Sequence, residues 1–291
     1  MLVAALAIVG AGLWLALAGP RPSRPPVVTP RTVGQHAENH KRAAGGRPRS
    51  RPQRHERRPK RSGAAGPAGQ LALVIDDLGG SVDDVAALEA LGVPLSYSVL
   101  PYEAQTAEVV ARLRAERREI LCHLPMEPAN SHDPGPGALR QAMDLDALAA
   151  ATDRALARVP GAVGANNHMG SELTTDRAAM GTVLDVLQRH GLFFLDSRTS
   201  ADSVGFALAR SLGLPAAERD VFLDDSADPA AIRAQVVRWL ARSRERGAAV
   251  AIGHPRPTTL EVLREEVPKA KAEGFTFVPV SFLLDRGGQP L

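Results

Sequence analysis

The chain of 291 residues carries a single cysteine, Cys122, which excludes an intramolecular disulfide framework. Aromatic residues amount to 4%, with two Trp and two Tyr, and this scarcity argues against a long groove in which sugar rings stack one after another. No GxGxxG or GxxxxGK[ST] follows an apolar run, so nucleotide binding has no support. A GxSxG elbow is also missing, and Cys122 lies inside a run that reads as strand, which leaves a Ser or Cys nucleophile without support.

Acidic residues are nearly absent from one stretch only. Between Pro20 and Arg61 there are thirteen Lys/Arg against Glu38 and Glu56, many prolines and no hydrophobic period. Such a composition cannot bury enough apolar surface to offset its ordering entropy, so residues 20–69 are expected to be a disordered basic linker. It is either a solvated spacer or a tether to anionic lipid or cell-wall polymer. The stretch contributes +11 to a chain whose net charge is +3, so the remainder carries −8. The pI of 9.4 therefore describes the linker and does not suggest a nucleic-acid partner.

Residues 1–19 are uncharged and apolar and end in Ala16-Leu17-Ala18 before Gly19-Pro20. They read as a signal peptide or a membrane anchor, with the remaining chain exported to the periplasm, secreted, or held at the inner membrane. The basic flank follows this segment instead of preceding it, which by the positive-inside tendency weighs toward a cytoplasmic domain.

Residues 70–291 hold the folded domain. Short apolar runs at 71–75, 95–100, 119–122, 162–165, 192–195, 221–223, 248–252 and 276–280 alternate with amphipathic helical patterns. This rhythm predicts an α/β fold of seven to eight βα units, a mainly parallel sheet or barrel. Helix signals agree: Ser81 with Asp84 in the first turn, Asp228-Pro229 at the start of a helix ending near Gly247, and a capping-box pattern at Thr258 and Glu261. Two further helices are expected over residues 138–159 and 175–190.

The chemistry-bearing residues fall where these runs end. Asp76-Asp77 follows the first, His123 the third, Asn166-Asn167-His168 the fourth, Asp196 the fifth, Asp224-Asp225 the sixth and His254 the seventh. Loops at the carboxyl ends of parallel strands converge on one face and build the site in such folds. Three histidines and at least three carboxylates would meet there. Neutral imidazoles with a carboxylate suit zinc and related divalent ions, and adjacent aspartates can divide metal holding from proton transfer. His132, in a Pro/Gly loop, and His190, at a helix end, are expected to be structural, as is Tyr97, whereas Tyr102 could line a groove.

The ordered segments LALVIDDLGGS, SYSVLPY, EILCHLPMEP, GANNHMGSELT, FFLDSRTS and AIGHPRPTTLEVL resemble the divergent polysaccharide deacetylases, a distant branch of the NodB-type carbohydrate esterases. The resemblance implies a distorted (β/α) barrel with a divalent-metal site, zinc by preference, that removes acetyl groups from N-acetylated carbohydrate. It implies Asp76 as general base, Asp77 and His123 as ligands, His254 as general acid and Asp196 as a residue that orients catalytic groups. Arg198 would contact substrate or pair with a neighbouring carboxylate. The second histidine of the NodB-type ligand pair is absent, with Glu127 in its place. His168 is the candidate replacement and Glu127 the alternative. The missing ligand also motivates a different class of function, an inactive barrel that binds glycan or a protein partner at the envelope. A third option is another metal-dependent hydrolase on the same scaffold.

Overall fold

The computed structural model describes residues 68–284; residues 1–19, all but the last two of 20–69, and 285–291 lie outside the described residues. Nine strands and seven α-helices follow in order: β1 (Gln70–Leu78), α1 (Val82–Glu89), β2 (Ser96–Val99), α2 (Thr106–Ala115), β3 (Glu119–Met126), α3 (Leu145–Arg158), β4 (Gly164–Met169), α4 (Arg177–Arg189), β5 (Phe193–Asp196), α5 (Gly205–Ser211), β6 (Ala216–Glu218), β7 (Val221–Phe222), α6 (Pro229–Arg246), β8 (Ala248–Gly253), α7 (Pro257–Ala272) and β9 (Thr276–Phe277). Every strand pairing is parallel, in the order β6-β5-β4-β3-β2-β1-β8-β7. β9 joins β1 at Gln70 and Leu71, below the point where β2 begins to pair with it. The edges β6 and β7 do not pair, so the sheet is a half-barrel with an open seam, which is the distorted βα barrel expected from the sequence. Among the described residues, no helix is long and apolar enough to cross a membrane.

Strand side chains alternate between two apolar layers. Leu71, Leu73 and Ile75 of β1, Ile120, Cys122 and Leu124 of β3, and Phe194 of β5 pack outward under the helices. Ala72, Val74, Leu121, Phe193, Leu195, Val250 and Ile252 point inward, with Val280 and Leu283 beside them from a 3₁₀ turn after β9. At roughly 25 cal/mol per Å2 of buried apolar surface, both layers contribute far more than any polar contact described below.

Several local expectations meet their cause. Ser81 caps α1 by accepting from the Asp83 amide, and Asp228 caps α6 ahead of Pro229, with Gly247 left-handed at φ 84° beyond its end. The helix expected from residue 138 starts only at Leu145, because the Asp144 carboxylate caps it there while Leu139 pairs with Met126 as a lone bridge. Thr258 does not cap α7. Pro257 already occupies the first turn, and the neighbouring Thr259 hydroxyl donates to Asp224 instead. Trp239 and Tyr97 are core residues, the indole N–H donating to the Ala249 carbonyl at 3.0 Å; Trp14 lies outside the described residues.

Candidate active site

The same alternation that sorts the core places the polar residues. Counting in twos from the inward Ala72 and Val74 reaches Asp76; from Leu121 it reaches His123, and from Ile252 it reaches His254. On β4 the set is Gly164, Asn166 and His168, and on β2 it is Ser96 and Ser98. These side chains continue the inner apolar stack toward the carboxyl ends of the strands, where the barrel interior turns from hydrocarbon to hydrogen-bonding groups.

Asp77 would face outward by that count, yet it does not. Its backbone is left-handed at φ 60°, and the pairing register of β1 with β2 shifts between Ile75 and Leu78. The shift returns Leu78 to the helix side and leaves two consecutive aspartates on the barrel mouth. Aspartate is among the few residues other than glycine that adopt this conformation readily. Met169, the last residue of β4, is also left-handed (φ 52°), as is Arg198 (φ 50°) two residues past β5.

Asp77, His123 and His168 each offer one ligand atom, all within 4.8 Å of one another. His168 Nδ1 lies 2.8 Å and His123 Nε2 3.2 Å from Asp77 Oδ1. That oxygen is buried and has no hydrogen-bond partner. A buried carboxylate oxygen facing two imidazole nitrogens without an aligned donor is what a divalent-cation site leaves behind, and the set of one oxygen and two nitrogens fits zinc-like chemistry. Burial would raise the Asp77 pKa, but the adjacent imidazoles of His123 and His168 outweigh it and hold the carboxyl well below the usual range. Burial likewise opposes charge on His123, and the Asp76 and Asp77 carboxylates reverse that, raising its pKa.

Asp76 is 3% exposed, with Oδ2 3.5 Å from His123 Nε2 and Oδ1 accepting from the Asn166 amide at 2.8 Å. On the other side, His254 Nε2 stands 3.5 Å from Asp77 Oδ2, and its Nδ1 is 2.9 Å from Asp224 Oδ1. Asp224 is fully buried and also accepts from the His254 amide at 2.8 Å and from the Thr259 hydroxyl at 2.7 Å. Desolvation works against the Asp224 charge, but the bonds from His254 and Thr259 prevail and its pKa is lowered. A carboxylate only accepts, so His254 carries its proton on Nδ1 and turns Nε2 to the site. Burial alone would lower the His254 pKa; Asp224 first and then Asp77 raise it.

The remaining sequence expectations separate here. Glu127 is not in the cluster: its carboxylate accepts from the Gln141 amide at 2.7 Å, while its own carbonyl takes the Glu172 and Leu173 amides. Asp196 shares the parity of Phe194 and points toward the helices, where its carboxylate accepts from the Arg198 and Phe206 amides and the Ser203 hydroxyl. It shapes the loop between β5 and α5. Arg198 lies 3.5 Å from Glu218 and donates to the Ser203 and Ala201 carbonyls. Cys122 is buried on the helix side, and burial pushes its thiol pKa up. His190 pairs with Asp153 at 2.7 Å, and His132 is exposed. Asp224 was legible as a carboxylate at a strand end, but only the pairing of β7 with β8 shows that it holds His254.

A cleft of 190 Å3 opens beside His168, walled by Leu100, Tyr102, Glu103, Pro125 and Pro134. Clefts of 270 Å3 at the seam and 610 Å3 at the amino-terminal ends of the strands contain no histidine.

Comparison with known proteins agrees with this architecture. The chain is 37% identical over 218 residues to the uncharacterized protein YibQ of Escherichia coli, covering 75% of this chain and 68% of that one. An uncharacterized protein of Haemophilus influenzae is 36% identical over 195 residues, 67% and 70% of the two chains. The crystal structure of an uncharacterized protein from Agrobacterium tumefaciens superposes with a TM-score of 0.69 at 23% identity, covering 77% of this chain and 92% of that one. The family model described as divergent polysaccharide deacetylase matches residues 73–284, essentially the half-barrel from its first strand to its last turn, and the chain belongs to that family.

Proposed function

We propose that this protein is a metal-dependent hydrolase that removes acetyl groups from N-acetylated carbohydrate of the cell envelope, with zinc held by Asp77, His123 and His168. The observation that carries the reading is the unsatisfied Asp77 Oδ1 between two imidazole nitrogens, flanked by a buried carboxylate on one side and an aspartate-held histidine on the other. A divalent ion bound there would supply Lewis acidity, polarising the acyl carbonyl and acidifying water.

The protein groups then have distinct tasks. Asp76, held by Asn166, accepts the proton of the water that attacks the acetyl carbon. As the carbon–nitrogen bond breaks, His254 Nε2 delivers a proton to the sugar nitrogen, so acetate and a free amine leave. Asp224 keeps that imidazole oriented and stabilises its charged form. The cleft beside His168 offers an approach for a sugar ring, with Tyr102 and the prolines as its wall. The apolar residues 1–19 support placement at the envelope, tethered or exported.

The test is metal content and turnover of the full chain beside Asp77→Ala and His168→Ala. About one zinc per chain, lost in both variants, together with acetate release from an N-acetylated oligosaccharide, is the expected result. Zinc binding without acetate release would favour the non-catalytic glycan- or partner-binding reading, and no zinc in the wild type would remove the metal site altogether.

A further inference from the structure

Asn166 is 0% exposed, and its side-chain amide has two donors and two acceptor positions. All four are used. Nδ2 donates to Asp76 Oδ1 at 2.8 Å and to Ser197 Oγ at 3.2 Å. Oδ1 lies 2.8 Å from His123 Nδ1 and accepts from the Ser98 hydroxyl at 2.6 Å. The orientation of the amide is decided by its neighbours, because the Asp76 carboxylate offers only acceptors and must face the NH2. Oδ1 then faces His123 and can only accept, so His123 carries its proton on Nδ1 and presents the Nε2 lone pair toward Asp77 Oδ1.

We propose that Asn166 is a positioning residue that sets two groups with one side chain: it fixes His123 in the tautomer able to bind a metal and holds Asp76 in the direction of the same centre. Its functional half rests on the hydrolase reading above; its structural half, the tautomer of His123, does not. Ser98 and Ser197 complete the arrangement from β2 and from the end of β5. Register supports it, since Asn166 pairs directly with His123 across the β3–β4 ladder and so cannot drift from it.

The experiment uses the full chain with Asn166→Ala and Asn166→Asp, reading zinc affinity by chelator competition, side-chain 15N spectra of the metal-free protein at alkaline pH, and steady-state kinetics. Asn166→Ala is expected to bind zinc about 10- to 100-fold more weakly and to show His123 as a mixture of tautomers. Asn166→Asp keeps an acceptor opposite Nδ1 and is expected to retain zinc affinity and the Nδ1–H tautomer. Its second oxygen faces the Asp76 carboxylate, so the buried pair shares a proton and Asp76 is no longer a free base; kcat falls about tenfold or more at little-changed KM. Wild-type zinc affinity and an unaltered tautomer in Asn166→Ala would overturn the proposal. If that variant does not fold, a folded Asn166→Asp that loses zinc more than about tenfold, or scrambles the tautomer, overturns it instead. Should the wild type bind no zinc, the hydrolase reading fails, and the 15N comparison alone decides the role of Asn166.

Discussion

The substitution Asp224→Asn tests the acid side of the site with almost no change in volume. In the native site Oδ2 accepts two hydrogen bonds, from the His254 amide and the Thr259 hydroxyl, and Oδ1 accepts one from His254 Nδ1. The amide keeps most bonds by leaving its oxygen at the Oδ2 position, which puts its NH2 opposite Nδ1. A donor now faces a donor, so the imidazole must give up its Nδ1 proton, and the charged ring loses its partner. Losing one hydrogen bond to a charged group costs about 1.5–3 kcal/mol, and every 1.4 kcal/mol is about tenfold. The ratio of protonated to neutral His254 at a given pH should therefore fall by about 10- to 100-fold, and on the alkaline side of the profile, where the neutral form prevails, kcat/KM should fall with it.

The sign of the pH effect follows from the direction of the native shift. His254 has a raised pKa, so in the proposed mechanism the acid would stay protonated to higher pH than a free imidazole, and acetate release should be lost only as pH rises through that raised value. Removing the Asp224 charge should move this alkaline limb toward lower pH. The same pair stabilises the fold: the His254 contribution is complete below the ordinary histidine pKa of 6.5 and fades as pH rises through the raised value, while the Asp224 contribution holds above the ordinary 3.8 and fades as pH falls through the lowered one. The assay is a pH profile of acetate release alongside thermal unfolding. An unshifted alkaline limb with kcat/KM within about threefold of wild type would refute the role given to His254 and Asp224.

Asp196→Ala should lower stability by about 2–3 kcal/mol, seen as a reduced melting temperature, while zinc content stays at the wild-type level, because its three partners lie in the loop after β5 and the first turn of α5. Gly170→Ala combines a left-handed φ of 86° with a Cβ that would sit 2.9 Å from Met126 Cβ. About 1–2 kcal/mol of destabilisation and weaker zinc binding through the adjacent His168 are expected from melting curves and chelator competition. Acidification should release the metal. Only neutral imidazole binds, and the raised pKa of His123 lets protons compete from above the ordinary value of 6.5, so metal retained after dialysis should fall as pH drops through that range.

Most of the site could be found by noting where apolar runs stop, but that approach ends the strands too early. β1, β3 and β4 continue through Asp76, His123 and His168, because pairing with their neighbours carries them past the end of each unbroken apolar run. β6 was invisible for the opposite reason: Ala216-Ala217-Glu218 has no β-rich signature and is strand only through its partner β5. Parity was available and separates Asp196 from the rest. It lies an odd number of residues from the inward Phe193 and Leu195, whereas Asp76, His123 and His254 lie an even number from inward neighbours. The Asn166 bridge and the Asp224–His254 pair join residues tens of positions apart, and no local pattern announces them.

The left-handed backbone at Asp77 narrows what this position can become. Ligand chemistry would accept Asp, Glu, His or Cys there, but the conformation favours Gly, Asn or Asp, and a longer or branched side chain meets strain of about 1–2 kcal/mol before any cation is considered. The two requirements share a single residue that is both anionic and tolerant of positive φ. Ordinary ligand swapping at this place therefore changes backbone energy and coordination together, and Asp77→Asn removes the charge while keeping both the turn of the chain and the shape of the side chain.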